Sequence, residues 1–490
     1  MNFQEKELEI LRRSVDKAEA LQQKQQTNSP EIKQIIQIVE QFLRKKKLVC
    51  YGGTAINNIL PIYDQFYDKS IEIPDYDFYS NNALDDAKEL ADIYTKAGFI
   101  EVVAQAGMHH GTYKVFVNFI PVADISQLDK EIYKKIKHKA ISVDGILYAP
   151  PNFLRMAMYL ELSRPKGDVS RWEKVLKRLL ILNKHYPLKS HNCSEEPIQR
   201  NVDNPSDKSK NLYKIVLDAI ASMGLIFFGG YANVLYSKYM PRYQRLKLHE
   251  IPDFDVLSED PKHSATLLRE RLLENGFSNI SILKHNGIGE IIAPHYEIRV
   301  NNETIVFIYE PLACHSYNNI NLFGYKLRVA TIDTMLSFYL AFIYSNRPYY
   351  DDNRILCMAH KLFLVQQKNR LKQKGLLKRF SLNCYGTQET KASMRTTKSD
   401  MYKELKDKRN SREYEEWFLK YNPSSNKKHP SKIAKSKTVK SKTVKSNTVK
   451  SKTAKSKTAK YKRAKSQTAK SKTAKVNTAK SKRAKSNIWF

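Results

Sequence analysis

The chain has no run of about 18 uncharged apolar residues, so no membrane-spanning helix is expected. Its first residues, MNFQEKELEILRR, are charged and helix-like and lack the apolar core of a secretory signal. Cysteine is scarce and scattered: Cys50, Cys193, Cys314, Cys357 and Cys384 include no Cys-x-x-Cys pair. That pattern argues against a zinc site or a disulfide framework and for an intracellular, non-secreted protein. Acidic residues are missing altogether from 431–490. Of the 84 lysines and arginines, 21 fall there with none of the 50 acids, so the rest of the chain still carries a net +13. A basic body with a more basic tail favours a polyanionic partner.

What is present is enough for real cores. The 490 residues are 41% hydrophobic and leave room for two or three domains. Residues 3–25 have helical composition. Ser29-Pro30 is a helix start, with Ser as N-cap and Pro at the first helical position. The helix that follows places Ile32, Ile35, Ile36, Val39 and Phe42 on one face. A short apolar strand, LVCYGG, ends in a glycine turn. The same order recurs later, with LYKIVLDAIASMG as helix and LIFFGG as strand and turn.

The recurrence extends further. The segment 51–78 reads YGGTAINNILPIYDQFYDKSIEIPDYDF, and 228–256 reads FGGYANVLYSKYMPRYQRLKLHEIPDFDV. Each carries a glycine pair followed, about two dozen residues on, by Ile-Pro-Asp-aromatic-Asp. Residues 115–126 are matched here with 304–316, and 141–165 with 319–348. A duplication of about 150 residues accounts for so many landmarks in one order. The expected organisation is an N-terminal helical segment at 1–29, a first unit at 30–190 and a linker at 191–211. A second unit at 212–370, a basic helical extension at 371–430 and a tail at 431–490 follow. The tail repeats Ser-Lys-Thr-Ala/Val-Lys without any core-forming face and is expected to be disordered.

In a strand, Asp75 and Asp77 project to the same side. Two carboxylates held together call for cations between them, and hard oxygen donors suit Mg²⁺ or Mn²⁺. A third acid, Asp124, follows an alternating apolar segment. Gly52 and Gly53 permit close approach of the backbone to phosphates, and Thr54 adds a hydroxyl at the start of a helix whose N-terminus favours phosphate. Asn57 is a further candidate for the same site. An Asp-x-Asp or a Gly-Gly alone is common in surface turns; their combination in a strand–turn–helix context, with a third Asp after a strand, carries the assignment. The second copy keeps Asp253 and Asp255 but has Tyr231 in place of Thr54, and the match above puts Cys314 at the place of Asp124. His109-His110 has no Cys or His partner at zinc spacing and is assigned to a loop.

Gly52-Gly53-Thr54, Asp75-x-Asp77 and Asp124 resemble the signature of polymerase-β-type nucleotidyltransferases. An intact unit followed by a worn one resembles the viral poly(A) polymerase catalytic subunits of poxviruses and giant amoebal viruses, over roughly 30–370. That resemblance implies an α+β fold of tandem nucleotidyltransferase-like domains, each a mixed sheet with flanking helices, the second degenerate. It implies template-independent addition of AMP from ATP to an mRNA 3′ end by a two-metal mechanism. Asp75, Asp77 and Asp124 would then be catalytic and metal-binding, with Gly52, Gly53 and Thr54 on the nucleotide. It further implies a homodimer or a separate processivity subunit as partner, and a location in the virion and the infected host cytoplasm. CCA addition, uridylation, oligoadenylate synthesis and a non-catalytic nucleic-acid-binding role stay open on the residues alone.

Overall fold

The structure, a computed structural model, describes residues 3–68, 73–190, 193, 207–242, 245, 254–322 and 324–424. Asp253, most of the expected linker and the lysine-rich repeat lie outside the described residues. Helix α1 (Phe3–Thr27) leads into α2 (Pro30–Lys46). The Ser29 hydroxyl caps α2 by accepting the Ile32 N–H at 3.2 Å, and Lys47 closes it in the left-handed region at φ 54°. Its buried face, Ile32, Ile35, Val39, Phe42 and Leu43, follows the helical period. Each such side chain contributes about 1.5–3 kcal/mol on leaving water.

The first unit continues through β1 (Val49–Cys50), α3 (Gly52–Ile59), β2 (Tyr76–Ser80) and α4 (Ala83–Lys96). Then come β3 (Val102–Ala106), β4 (Thr112–Val117), β5 (Ile120–Gln127) and α5 (Lys130–His138). The hairpin β6 (Ile141–Val143) and β7 (Ile146–Tyr148) is followed by α6 (Pro151–Leu162) and α7 (Trp172–His185). The second unit repeats the plan: α8 (Asp207–Met223), β8 (Ile226–Phe228), α9 (Gly229–Ser237), β9 (Phe254–Leu257) and α10 (Pro261–Glu274). It goes on with β10 (Ile280–His285), β11 (His295–Val300), β12 (Glu303–Tyr309), β13 (His315–Leu322), β14 (Tyr325–Ala330), α11 (Ile332–Phe342) and α12 (Asp352–Lys368). The extension adds β15 (Cys384–Tyr385), α13 (Lys391–Leu405), α14 (Arg412–Phe418) and β16 (Lys420–Tyr421).

These strands form two mixed sheets, ordered β16-β3-β4-β5-β2-β1-β7-β6 and β10-β11-β12-β9-β8-β14-β13-β15. Apart from the strands added by the extension, the orders coincide, so the α+β duplication is present in the fold. The structure corrects one expected correspondence. Residues 115–126 turn at Asn118 and Phe119, both at positive φ, and return as β5. Residues 303–309 are one strand, β12, and the sheet order sets β12 against β5. The first unit places α5 between β5 and β6, whereas the second passes from β12 to β13 without a helix. The sequence landmarks therefore slid by one strand.

Three further expectations are corrected. Four of the five cysteines are paired, Cys193 with Cys357 and Cys314 with Cys384, leaving Cys50 buried and free. Spacing did not reveal these pairs because their partners lie 164 and 70 residues apart. In the extension, expected as helical over 371–430, the segment 399–423 is divided among the end of α13, α14 and β16. Thr390 supplies a capping box for α13, and Ser411 starts a new helix by accepting the Tyr414 N–H. The helical expectation for the extension also missed two strands, since β15 pairs with β13 and β16 with β3. It is also pinned by Arg379, whose guanidinium meets the fully buried Asp333 of α11 at 2.7 Å.

Candidate active site

The candidate residues come from the centre of the first sheet. Strands β2 and β5 are parallel with Asp77 directly opposite Asp124, and β5 and β4 are antiparallel with Asp124 opposite Lys114. Strand alternation turns Tyr76 and Phe78 into the core and leaves Asp77 and Tyr79 on the more open face. Asp75, just ahead of β2, is exposed. The sheet therefore sets Asp77 and Asp124 side by side, with Asp75 just ahead of β2.

Charge is concentrated there. Burial, reinforced by the charges of Asp75 and Asp124, pushes the Asp77 carboxyl up to about 7. The protein crowded around Asp75, together with Asp124, raises its carboxyl as well. The Lys114 ammonium donates to Asp124 Oδ2, while Asp124 Oδ1 is buried without a hydrogen-bond partner among the described residues. The Tyr51 hydroxyl lies 2.9 Å from Ser126 Oγ, and its ring stacks on Tyr79 at 3.9 Å.

The glycine pair opens α3 against this acid cluster. Gly52 has φ 73°, and a Cβ there would overlap the Asp77 carboxylate. A Cβ on Gly53 would lie 2.5 Å from the Tyr67 hydroxyl and 2.9 Å from the Arg178 guanidinium. The Thr54 hydroxyl donates to the Asp75 carbonyl at 2.7 Å, tying the helix to the acidic strand. Asn57 does not serve the site as expected: its side-chain oxygen accepts the Phe66 and Tyr67 N–H groups at 2.7 and 2.9 Å and pins the loop.

A cleft of about 460 Å³ opens beside the turn, lined by Gly52, Gly53, Asp75 and Asp77 on one side and by α6 and α7 on the other. Three cations reach it that sequence reasoning missed: Arg171, Lys174 and Arg178. Their spacing of three and four residues puts them on one helical face, and that spacing is the signal that could have found them. Arg178 is held in place by cation–π contacts to Phe66 and Tyr67, centroid distances 4.9 and 5.4 Å, and by a hydrogen bond to the Tyr67 hydroxyl. Glu161 holds Arg171 at 3.0 Å. The cleft thus carries a carboxylate cluster, a helix N-terminus and fixed positive charge in one space, an arrangement suited to a polyphosphate with hard cations. The hard oxygen donors, the unpartnered Asp124 Oδ1 and the mutual repulsion of the acids fit divalent metal. Among the described residues no three Asp, Glu, His or Cys side chains are gathered around one point, and Lys114 sits where positive charge is needed.

The second unit has the same turn without the same chemistry. Gly229 at φ 74° again abuts an acid, Asp255. Asp255 is opposite Phe307, so the place of Asp124 is taken by an aromatic ring and not by Cys314, which is bonded to Cys384. Tyr231, at the place of Thr54, is buried against Phe227 and Phe254. Phe307, Tyr309, Tyr339, Phe342 and Tyr350 crowd the space beside Asp255, leaving about 130 Å³. His109 and His110 are loop residues: His109 faces Glu389 at 3.7 Å, and the His110 ring packs at a tilt against Trp417, centroids 4.2 Å apart.

Residues 37–168, which contain the whole candidate cluster, match the family model described as poly(A) polymerase catalytic subunit. The chain is 33% identical over 181 residues to the protein assigned as that subunit in African swine fever virus, covering 36% of this chain and 38% of the relative. It is 32% identical over 158 residues to the corresponding Acanthamoeba polyphaga mimivirus protein, covering 31% and 26%. The matched region thus spans little more than a third of the African swine fever virus relative and about a quarter of the mimivirus one. The fold is similar to the crystal structure of the Megavirus polyadenylate synthase, with TM-score 0.71, 21% identity and 88% of each chain covered. The resemblance drawn from the motifs is borne out by sequence relatives and by fold.

Proposed function

We propose that this chain adds AMP units from ATP to the 3′ ends of RNA, as a viral poly(A) polymerase catalytic subunit. The observation that carries this proposal is the meeting of Asp75, Asp77 and Asp124 beside the Gly52–Gly53 turn, inside the segment that matches that family. Asp75, Asp77 and Asp124 would hold two Mg²⁺ or Mn²⁺ ions, which when bound supply an activated 3′-hydroxyl and a neutralised pyrophosphate leaving group. The chain's own groups do the rest. Backbone N–H groups at the start of α3 would donate to phosphate oxygens, with Gly52 and Gly53 allowing the approach. Arg171, Lys174 and Arg178 neutralise the triphosphate from the opposite wall. Lys114 orients Asp124.

In this scheme residues 30–190 are the catalytic domain, and 212–370 form a platform that keeps the fold and positions RNA. The acceptor is mRNA, the site of action the virion and infected cytoplasm, and a second copy or a processivity subunit assists. Purified chain with labelled RNA, each nucleoside triphosphate in turn and Mg²⁺ or Mn²⁺ tests the core of the proposal. A ladder with ATP, lost by orders of magnitude in Asp77→Ala while RNA binding persists, is expected. Incorporation by Asp77→Ala at the wild-type rate would refute it, and a ladder with UTP or CTP in place of ATP would assign a different terminal transferase.

A further inference from the structure

The acid cluster is approached from two sides, and only one has been used. Asp75 and Asp77 line the nucleotide cleft; Asp124 does not. On the other side, the strand registers set out a transverse row across the open face of the first sheet. Lys420 of β16 is opposite Gln105 of β3, and Gln105 is opposite Lys114 of β4. Lys114 in turn faces Asp124 of β5, and Asp124 faces Asp77 of β2. Paired residues share a face. On β4 that face carries Thr112, Lys114 and Phe116, all partly exposed, while Tyr113, Val115 and Val117 are buried. Lys420 is exposed at the sheet edge. Four strand intervals make the row about 19 Å long.

We propose that this row, Lys420–Gln105–Lys114 with Phe116 beside it, is the track on which the acceptor RNA strand lies as its 3′ end reaches Asp124. It rests on the polymerase proposal above and extends it, giving a role in the site to the C-terminal extension, which supplies Lys420. The chemistry fits single-stranded RNA: lysines spaced along a groove meet phosphodiesters, an amide offers both donor and acceptor to a ribose or base edge, and a half-exposed ring on a sheet face stacks a base. The row turns from cationic to anionic at Asp124, where a backbone phosphate would give way to the reacting hydroxyl. Nucleotide and acceptor thus enter from opposite sides and do not compete for one surface.

The test uses the full chain, so that the lysine-rich repeat contributes equally to every comparison. Lys420→Glu with Gln105→Glu should raise the KM for a short RNA primer about tenfold, since reversed charge repels phosphate. The KM for ATP, kcat at saturating primer and the melting temperature should stay within twofold or within error. In parallel, a short oligonucleotide carrying a photoreactive base near its 3′ end is crosslinked to the wild-type chain without ATP, and the attached peptides are mapped. Crosslinks on β4 or β16 support the track whether or not incorporation is observed, so failure of the polymerase assay is separable from failure of the track. An unchanged primer KM, or crosslinks confined to other elements, would overturn it.

Discussion

Asp77 is where the chain holds charge against its own preference. Its carboxyl is raised to about 7 by burial and by Asp75 and Asp124, against about 3.9 for an unfolded aspartate. The folded state therefore binds more protons between those two values. Stability attributable to this group is full below about pH 4 and is lost as pH rises through 7, a penalty on the order of 4 kcal/mol when metal is absent. Asp77→Asn removes it. In EDTA at pH 8 the variant should melt above the wild type, the difference should vanish by pH 4, and the variant should not incorporate nucleotide. Equal melting at pH 8 would show that the site tolerates its charge without a cation. Asp75, Asp77, Asp124 and the glycine pair were legible in the sequence because a period of two and a tight turn are local properties. Lys114 was not, because its pairing with Asp124 is a cross-strand register, and Arg171, Lys174 and Arg178 passed unread as an ordinary charged helix face.

At the scale of elements, the duplicated units diverge by what fills the space beside a retained Gly-Asp contact. Phe307 stands opposite Asp255, and aromatic rings occupy the surrounding volume. Asp255→Ala should leave kcat for nucleotide addition within about twofold, since no carboxylate faces it across the sheet to complete an ion site; a loss as deep as that of Asp77→Ala would reassign the working unit. The extension's anchor makes a second prediction. Arg379→Met strands Asp333, which is fully buried, and should cost about 3–5 kcal/mol in denaturant unfolding, whereas the double variant Asp333→Leu, Arg379→Met should recover much of it. Helices, the α+β class and the duplication were legible from apolar periodicity and repeated order. The match of Asp124 to Cys314 failed because the second unit lacks a helix equivalent to α5, and strand pairing by a two-residue strand such as β16 leaves no periodic trace.

For the whole molecule, net charge is divided between residues 1–430, at +13, and the lysine-rich repeat of 431–490, at +21. We expect that repeat to add nonspecific affinity for nucleic acid. Deleting it should flatten the slope of log affinity for RNA against log salt while leaving single-nucleotide addition to saturating primer intact, because it carries no acidic residue. An unchanged slope would assign the repeat another use, such as addressing. The two sheets also differ in how their edges are finished: β16 covers β3, whereas among the described residues the equivalent strand β10 is an end of its sheet. Residues 104 and 105 thus wait for partners at 420 and 421. At ribosomal speeds of about 5–20 residues per second, the first sheet stays unfinished for tens of seconds after its own strands have emerged. During that interval its open edge is a hazard for wrong pairing, and a truncated nascent chain released early would carry every acidic residue of the candidate site and still lack the strand that closes its sheet.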